Sequence, residues 1–380
     1  MSTANINPEI LIWARERLGF SVSEFARTLQ KPEDRLTQWE TGQRALTFKQ
    51  AITFAHRAHI PFGYLFLEAP PMEELPIPDL RTLDGQGVSR PSAELFDLIK
   101  LMLQRQDWYK DYLKQQFAEP NQIVNSFSNR HDVSEIVSDM REKLQVAIHP
   151  VRGDWENYYR ELVAKIESIG ILVMRQADLG HFTRPLQVSE FRGFAIADEY
   201  APMIFINHAD APGARLFTLI HELCHIWIGQ SGISNGDPQT HRNEEILCNA
   251  VAAEFLVPEA EFIQLWQADL DNWRENLPVL ESHFHVSKWA LARRALTCHF
   301  ISHQDYVSYI NDEKEAYKNR ERSGNGGPNY YRTKKAQISQ NFSRAVVSQA
   351  LNGQVLLREA GQLLGMKPSN ISKFAKELQI

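Results

Sequence analysis

The 380-residue chain has only three cysteines, which excludes a disulfide-stapled scaffold and suits a reducing compartment. No uninterrupted apolar run approaches the roughly 18 residues of a membrane span, and residues 1–9 lack a basic stretch followed by an apolar one. The expectation is a soluble, cytoplasmic protein with no membrane partner. Strong net charge is also missing, but the overall −6 conceals an asymmetry. Residues 318–380 carry eleven Lys or Arg against three acids, whereas residues 1–317 carry 30 against 44. A basic C-terminal part can meet nucleic acid or an acidic protein. The length allows two or three domains with real cores.

What is present is more specific. His221-Glu222-Leu223-Cys224-His225 places two histidines four apart, hence on one face of an α-helix, where both can bind one zinc ion. Glu222 lies about 100° around the axis, beside the histidines, where a carboxylate can act as general base toward a zinc-activated water. With 13 His and 30 Glu in 380 positions, His-Glu-x-x-His arises by accident only about 0.03 times in such a chain. The flanks, residues 215–220 and 226–228, are apolar enough for a core helix, and Gly229 offers a stop.

The third ligand sets the subclass. A metzincin needs Gly at 228 and His at 231, but Ile228 and Ser231 stand there. The next helical stretch, residues 244–257, is closed by Pro258 and offers Glu244, Glu245 and Glu254. Glu245 and Glu254 are half a turn out of phase, so both cannot face one metal. Glu245 shares a face with Asn249 and the small Ala252 and is the favoured ligand, with Asn249 as a polar support behind it. Glu244 and His241 stay open as alternatives. Cys224 and Cys248 read as small buried apolar side chains.

Residues 217–225 (Phe-Thr-Leu-Ile-His-Glu-Leu-Cys-His) and 245–258 (Glu-Ile-Leu-Cys-Asn-Ala-Val-Ala-Ala-Glu-Phe-Leu-Val-Pro) resemble the ImmA/IrrE family of bacterial metallopeptidases. Cys224 and Cys248 replace the usual Gly and Ala, and Val251 replaces the usual Phe. The resemblance implies a gluzincin-like site with one zinc per chain, held by His221, His225 and Glu245, with Glu222 as base.

In residues 1–70, Asn7-Pro8, the Ser21-to-Glu24 capping box, Pro32 and Thr47 punctuate helices over 7–17, 24–29, 32–39 and 47–59. Residues 36–42 (Leu-Thr-Gln-Trp-Glu-Thr-Gly) resemble the signature of an XRE-type helix-turn-helix, which implies a five-helix domain. Arg35, Gln38 and Arg44 are its candidate DNA contacts. Against this, Glu33 and Asp34 sit at the recognition end, and residues 1–75 hold eight Lys or Arg against nine acids, without the basic footprint of strong DNA binding.

The resulting expectation is multidomain, mainly α with a small β-sheet. A helix-turn-helix domain spans 1–70 and a Pro-rich linker 71–92. A zincin-like α+β metallopeptidase domain spans 93–317, with its core at about 154–310. A Gly-rich basic linker covers 318–335, including Ser323 to Pro328, and a basic helical region covers 336–380. Residues 93–116 and 154–168 read as helices. Residues 170–174, 191–197 and 202–207 read as short strands, with 191–196 the candidate edge strand for peptide addition. Tyr200, His208, Arg215 and His241 are the candidate oxyanion donors. Residues 356–371 resemble a second helix-turn-helix and the C-terminal part of proteins found in toxin–antitoxin pairs, some with a PIN-type nuclease.

Two functions from different classes follow. One is a regulatory zinc endopeptidase that cleaves a protein partner, a repressor or a stress or toxin–antitoxin component. The other is an antitoxin-like or transcription-regulating binding protein with a structural zinc core, which neutralises a nuclease toxin or binds operator DNA.

Overall fold

The computed structural model describes residues 5–79, 91–127, 132–148, 155–181, 183–234, 242–319 and 330–380. The chain divides into two compact units, Met1–Pro76 with Ser89–Lys100 and Ile77–Val88 with Leu101–Ile380.

The first unit holds α1 (Pro8–Arg17), α2 (Val22–Leu29), α3 (Glu33–Glu40) and α4 (Phe48–Arg57). Capping boxes start α2, between Ser21 and Glu24, and α4, between Thr47 and Gln50, so two orphan backbone donors are satisfied at each start. Phe25, Leu36, Phe54 and Leu65 form its centre. Arg15 and Glu40 form a buried bidentate pair at 2.8 and 3.1 Å that ties α1 to α3. The expected fifth helix is instead a 3-10 helix, Phe62–Phe66. α4 stops at Arg57, His59 adopts a left-handed φ of 52°, and Pro61 precedes the short helix. Arg35 and Gln38 lie half-buried on α3, and Arg44 is exposed. The Arg44 backbone N–H donates to the Gln38 carbonyl at 3.0 Å, which draws the two together.

The second unit opens with the part of α5 (Ala93–Gln115) from Leu101 onward, then α6 (Val133–Leu144) and α7 (Trp155–Ser168). A four-stranded sheet follows, built from β1 (Leu172–Gln176), β2 (Gly193–Ile196), β3 (Met203–Asn207) and β4 (Gly232–Ser234), in the order β1-β3-β2-β4. β1 runs parallel to β3; the β2 pairings to β3 and to β4 are antiparallel. Every strand residue is buried, as expected of a sheet covered on both faces. The interior position of β2 corrects the expectation that residues 191–196 form an edge. Beside β4, the Ile233 N–H donates to the Pro78 carbonyl at 3.1 Å, so part of the Pro-rich stretch lies against the sheet edge. Gly85 to Gly87 and Ser323 to Pro328 lie outside the described residues.

Two helices carry the candidate site. α8 (Pro212–Trp227) packs on β2 and β3, and α9 (Asn243–Leu256) packs on α8. Pro212 suits the first turn of α8, where its missing N–H has no partner to lose. Leu216, Leu219, Ile220, Leu223 and Trp227 bury the helix in the main core. α10 (Glu259–Leu265), α11 (Asn276–Phe284), α12 (Lys288–Thr297) and α13 (His303–Asn319) come next. The last four helices are α14 (Tyr330–Gln337), α15 (Gln340–Leu351), α16 (Leu357–Leu364) and α17 (Ile371–Leu378). They pack into the same unit rather than standing apart. The Phe342 ring meets Trp108 edge-on at 5.8 Å, and Arg105 Nε donates to the Leu363 carbonyl at 2.8 Å. Gly365, with φ of 61°, ends α16 before the turn to α17.

Candidate metal centre

The four-residue spacing on α8 brings His221 Nε2 and His225 Nε2 to 3.2 Å of each other. Glu245, in the first turn of α9, reaches both, with Oε2 at 3.3 Å from His221 and Oε1 at 3.1 Å from His225. All three are almost wholly buried, and together they form a group able to hold a metal ion. The alternatives separate by position. Glu244 is exposed; Glu254 is engaged with Arg294 and the Glu259 backbone; His241 lies outside the described residues. Asn249 shares the buried face of Glu245, but its Oδ1 has no hydrogen-bond partner among the described residues.

The electrostatics follow from burial. Burial alone raises a carboxyl pKa, yet hydrogen bonds from His221 and His225 hold the Glu245 carboxyl well below its ordinary range. Burial lowers the His225 imidazole, which favours the neutral form a metal requires. Glu222 is completely buried. Burial first and the Glu245 charge second push its carboxyl well above the usual range.

The donor set fits a metal by its chemistry, because His221 Nε2, His225 Nε2 and the Glu245 carboxylate oxygens converge. Glu222 Oε1 and Oε2 and both histidine Nδ1 atoms have no hydrogen-bond partner among the described residues. Each such buried group costs about 1–3 kcal/mol. Two imidazole nitrogens and a carboxylate at mutual distances near 3 Å, beside a carboxyl with unspent acceptors, are the makings of a metallohydrolase site.

Two residues that sequence reasoning missed complete the arrangement. Ser234, at the end of β4 and 1% exposed, donates its hydroxyl to Glu245 Oε1 at 3.2 Å and lies 3.5 Å from His225 Nε2. Its register partner on β2 is Gly193. A Cβ on Gly193 would stand 2.7 Å from Glu222 Oε1 and 2.9 Å from its Cγ, so the glycine makes the room that Glu222 occupies.

A cavity of about 190 Å³ adjoins His221 and Glu222 and is lined by α8, α12 and α13. Its polar lining includes Arg192, Thr218, Ser234 and Tyr306. None of the anticipated oxyanion donors Tyr200, His208 or Arg215 lines it. Arg215 donates to the His208 and Asp210 carbonyls, and the Tyr200 ring lies under Lys114 Nζ at 5.0 Å.

The buried ligand group on the sheet-backed motif helix and its neighbour α9 is a candidate metal centre. Residues 169–296, about a third of the chain, match the peptidase M78 family model, the IrrE N-terminal-like domain, which supports the ImmA/IrrE resemblance over that segment. Residues 338–377 match a domain of unknown function, DUF8813. A search of curated proteins gives no match to the chain. Among the described residues, no helix is long and apolar enough to cross a membrane.

Proposed function

We propose that the protein is a zinc-dependent endopeptidase with a regulatory role, cleaving a specific protein partner such as a repressor or a stress or toxin–antitoxin component. The observation that carries this reading is the convergence of His221, His225 and Glu245 beside a buried Glu222 whose two carboxyl oxygens have no hydrogen-bond partner among the described residues. His221, His225 and Glu245 would hold the ion. Zinc, when bound, supplies Lewis acidity that activates water and polarises a carbonyl. Glu222 accepts the proton from the attacking water and returns it to the departing amine, a role suited to a carboxyl whose affinity for protons is raised. The Ser234 hydroxyl holds the Glu245 carboxylate in its ligating orientation. Gly193 keeps the strand above from displacing Glu222. Arg192 and Tyr306, two of the donors that line the cavity, would stabilise the developing oxyanion.

The flanking parts select the target in this proposal. The basic C-terminal region, matched by the family of unknown function, suits an acidic protein such as a nuclease toxin, or DNA. The first unit, through Arg35, Gln38 and Arg44, is a second route to DNA. The same basic region is what favours the alternative of a binding protein with a structural zinc core.

The experiment is a comparison of new protein N-termini in host lysate treated with wild-type or Glu222→Gln protein. Termini made by the wild type and absent with the variant, while both keep their zinc, support the peptidase. Identical termini from both, or none from either, reject it.

A further inference from the structure

The cavity beside Glu222 has a definite chemistry, and we infer that it accepts a large apolar side chain of the bound peptide and excludes a basic one. This rests on the peptidase reading and adds the substrate class. Phe217, Trp289 and Ile310 supply apolar walls, and Tyr306 adds a fourth large side chain. The depth depends on small residues where the helices approach. Ala214 on α8 and Ala290 on α12 line the space without filling it. The approach of α12 to α8 is fixed by Gly213, where a Cβ would stand 2.4 Å from Ser287 Cβ, and by the Ser287 hydroxyl, which donates to the Gly213 carbonyl at 3.2 Å.

Size and charge then select the occupant. A cavity of about 150 Å³ lined by apolar side chains takes a benzene ring, so the roughly 190 Å³ here admits a Leu, Met or Phe side chain. An Ala side chain would leave most of that surface uncovered. Two guanidinium groups, Arg192 and Arg293, line the cavity, and Glu222 is the one carboxyl among its described lining residues. Arg192 is already paired with Asp210 at 3.2 Å, and Arg293 lies over the Phe217 ring at 5.1 Å. A lysine or arginine entering the cavity would lose hydration beside two like charges and, among the described lining residues, meet no carboxylate except the general base.

The test measures binding, so it does not depend on turnover. Capped tetrapeptides Ala-Ala-Xaa-Ala, with Xaa as Leu, Phe, Ala or Lys, are titrated at up to millimolar concentration into full-length zinc-loaded Glu222→Gln protein and followed by NMR. The Leu and Phe peptides should bind at least about tenfold more tightly than the Ala and Lys peptides, the discrimination usual for a few methylenes in an apolar pocket. Adding Ala290→Phe, or the smaller change Ala290→Leu, should erase the Phe-over-Ala preference by filling the space. Equal binding of all four peptides, a preference for Lys, no binding by any, or a preference unchanged by both Ala290 variants would overturn the inference. Selective binding without cleavage by the wild type would instead count against the peptidase reading alone.

Discussion

Gly193→Ala perturbs the site by a single methyl group, and the structure sets its cost. The new Cβ would meet Glu222 Oε1 at 2.7 Å, Glu222 Cγ at 2.9 Å and the Phe205 carbonyl oxygen at 2.9 Å. β2 is hydrogen-bonded on both sides, to β3 and β4, so it cannot recede freely. Overpacking of this kind costs about 1–3 kcal/mol. Against that, replacing glycine by alanine restricts the unfolded chain and stabilises by about 0.4–1 kcal/mol. The clash wins, and a net loss of about 1–2 kcal/mol is expected, a fall of a few degrees in Tm for a chain of this length. Activity should fall further, because displacing a catalytic group by about 1 Å costs on the order of a hundredfold. Glu222→Ala removes Cγ and the carboxyl group and so relieves two of the three contacts. The double variant should therefore be more stable than the sum of the single losses by about 0.5 kcal/mol or more, without regaining activity. Scanning calorimetry of the four proteins and a cleavage assay measure this. A Gly193→Ala protein as stable and as active as its parent would refute the reasoning.

Three further outcomes follow from the same structure. Ser234→Ala removes the hydroxyl that holds Glu245 and should weaken zinc binding about 10- to 100-fold in competition with a chelator; unchanged affinity would discount that hydrogen bond. Glu40→Ala leaves the buried Arg15 guanidinium with only the Phe20 carbonyl and the exposed Glu16 carboxylate at 3.6 Å, and should cost about 1–3 kcal/mol in the first unit, read by denaturant unfolding; no loss would discount the pair. The His208 imidazole is pushed down to about 3 by burial first and by Arg215 and Arg175 next. Between that value and the ordinary value near 6.5, the unfolded chain binds a proton that the folded one does not. Stability should therefore decline as pH falls from about 6.5 toward 3, and His208→Gln should lessen the decline in Tm; an unchanged slope would reject this.

The motif helix was legible because a four-residue repeat of histidines and an apolar flank both report on a 3.6-residue period. The phase of Glu245 against Glu254 was legible for the same reason, and Glu254 proves engaged with Arg294. Ser234 was not, because the three residues of β4 are too few to show alternation. β2 was misread as an edge. Its four residues are all buried, which reports coverage of both faces; pairing to β3 and β4 on its two sides is set by remote segments and leaves no local pattern. The cavity walls were hidden by distance along the chain, since Phe217 meets Trp289 and Ile310 only through the packing of α8 with α12 and α13. Local pattern reports local geometry; convergence of remote side chains does not appear in it.

Metal content tests the central claim most directly. Elemental analysis of the purified protein, with His221→Ala, His225→Ala and Glu245→Ala measured alongside, should find one zinc per wild-type chain and a large loss in each variant. Full zinc in all three variants, or a metal-free wild type that still cleaves protein, would contradict the account.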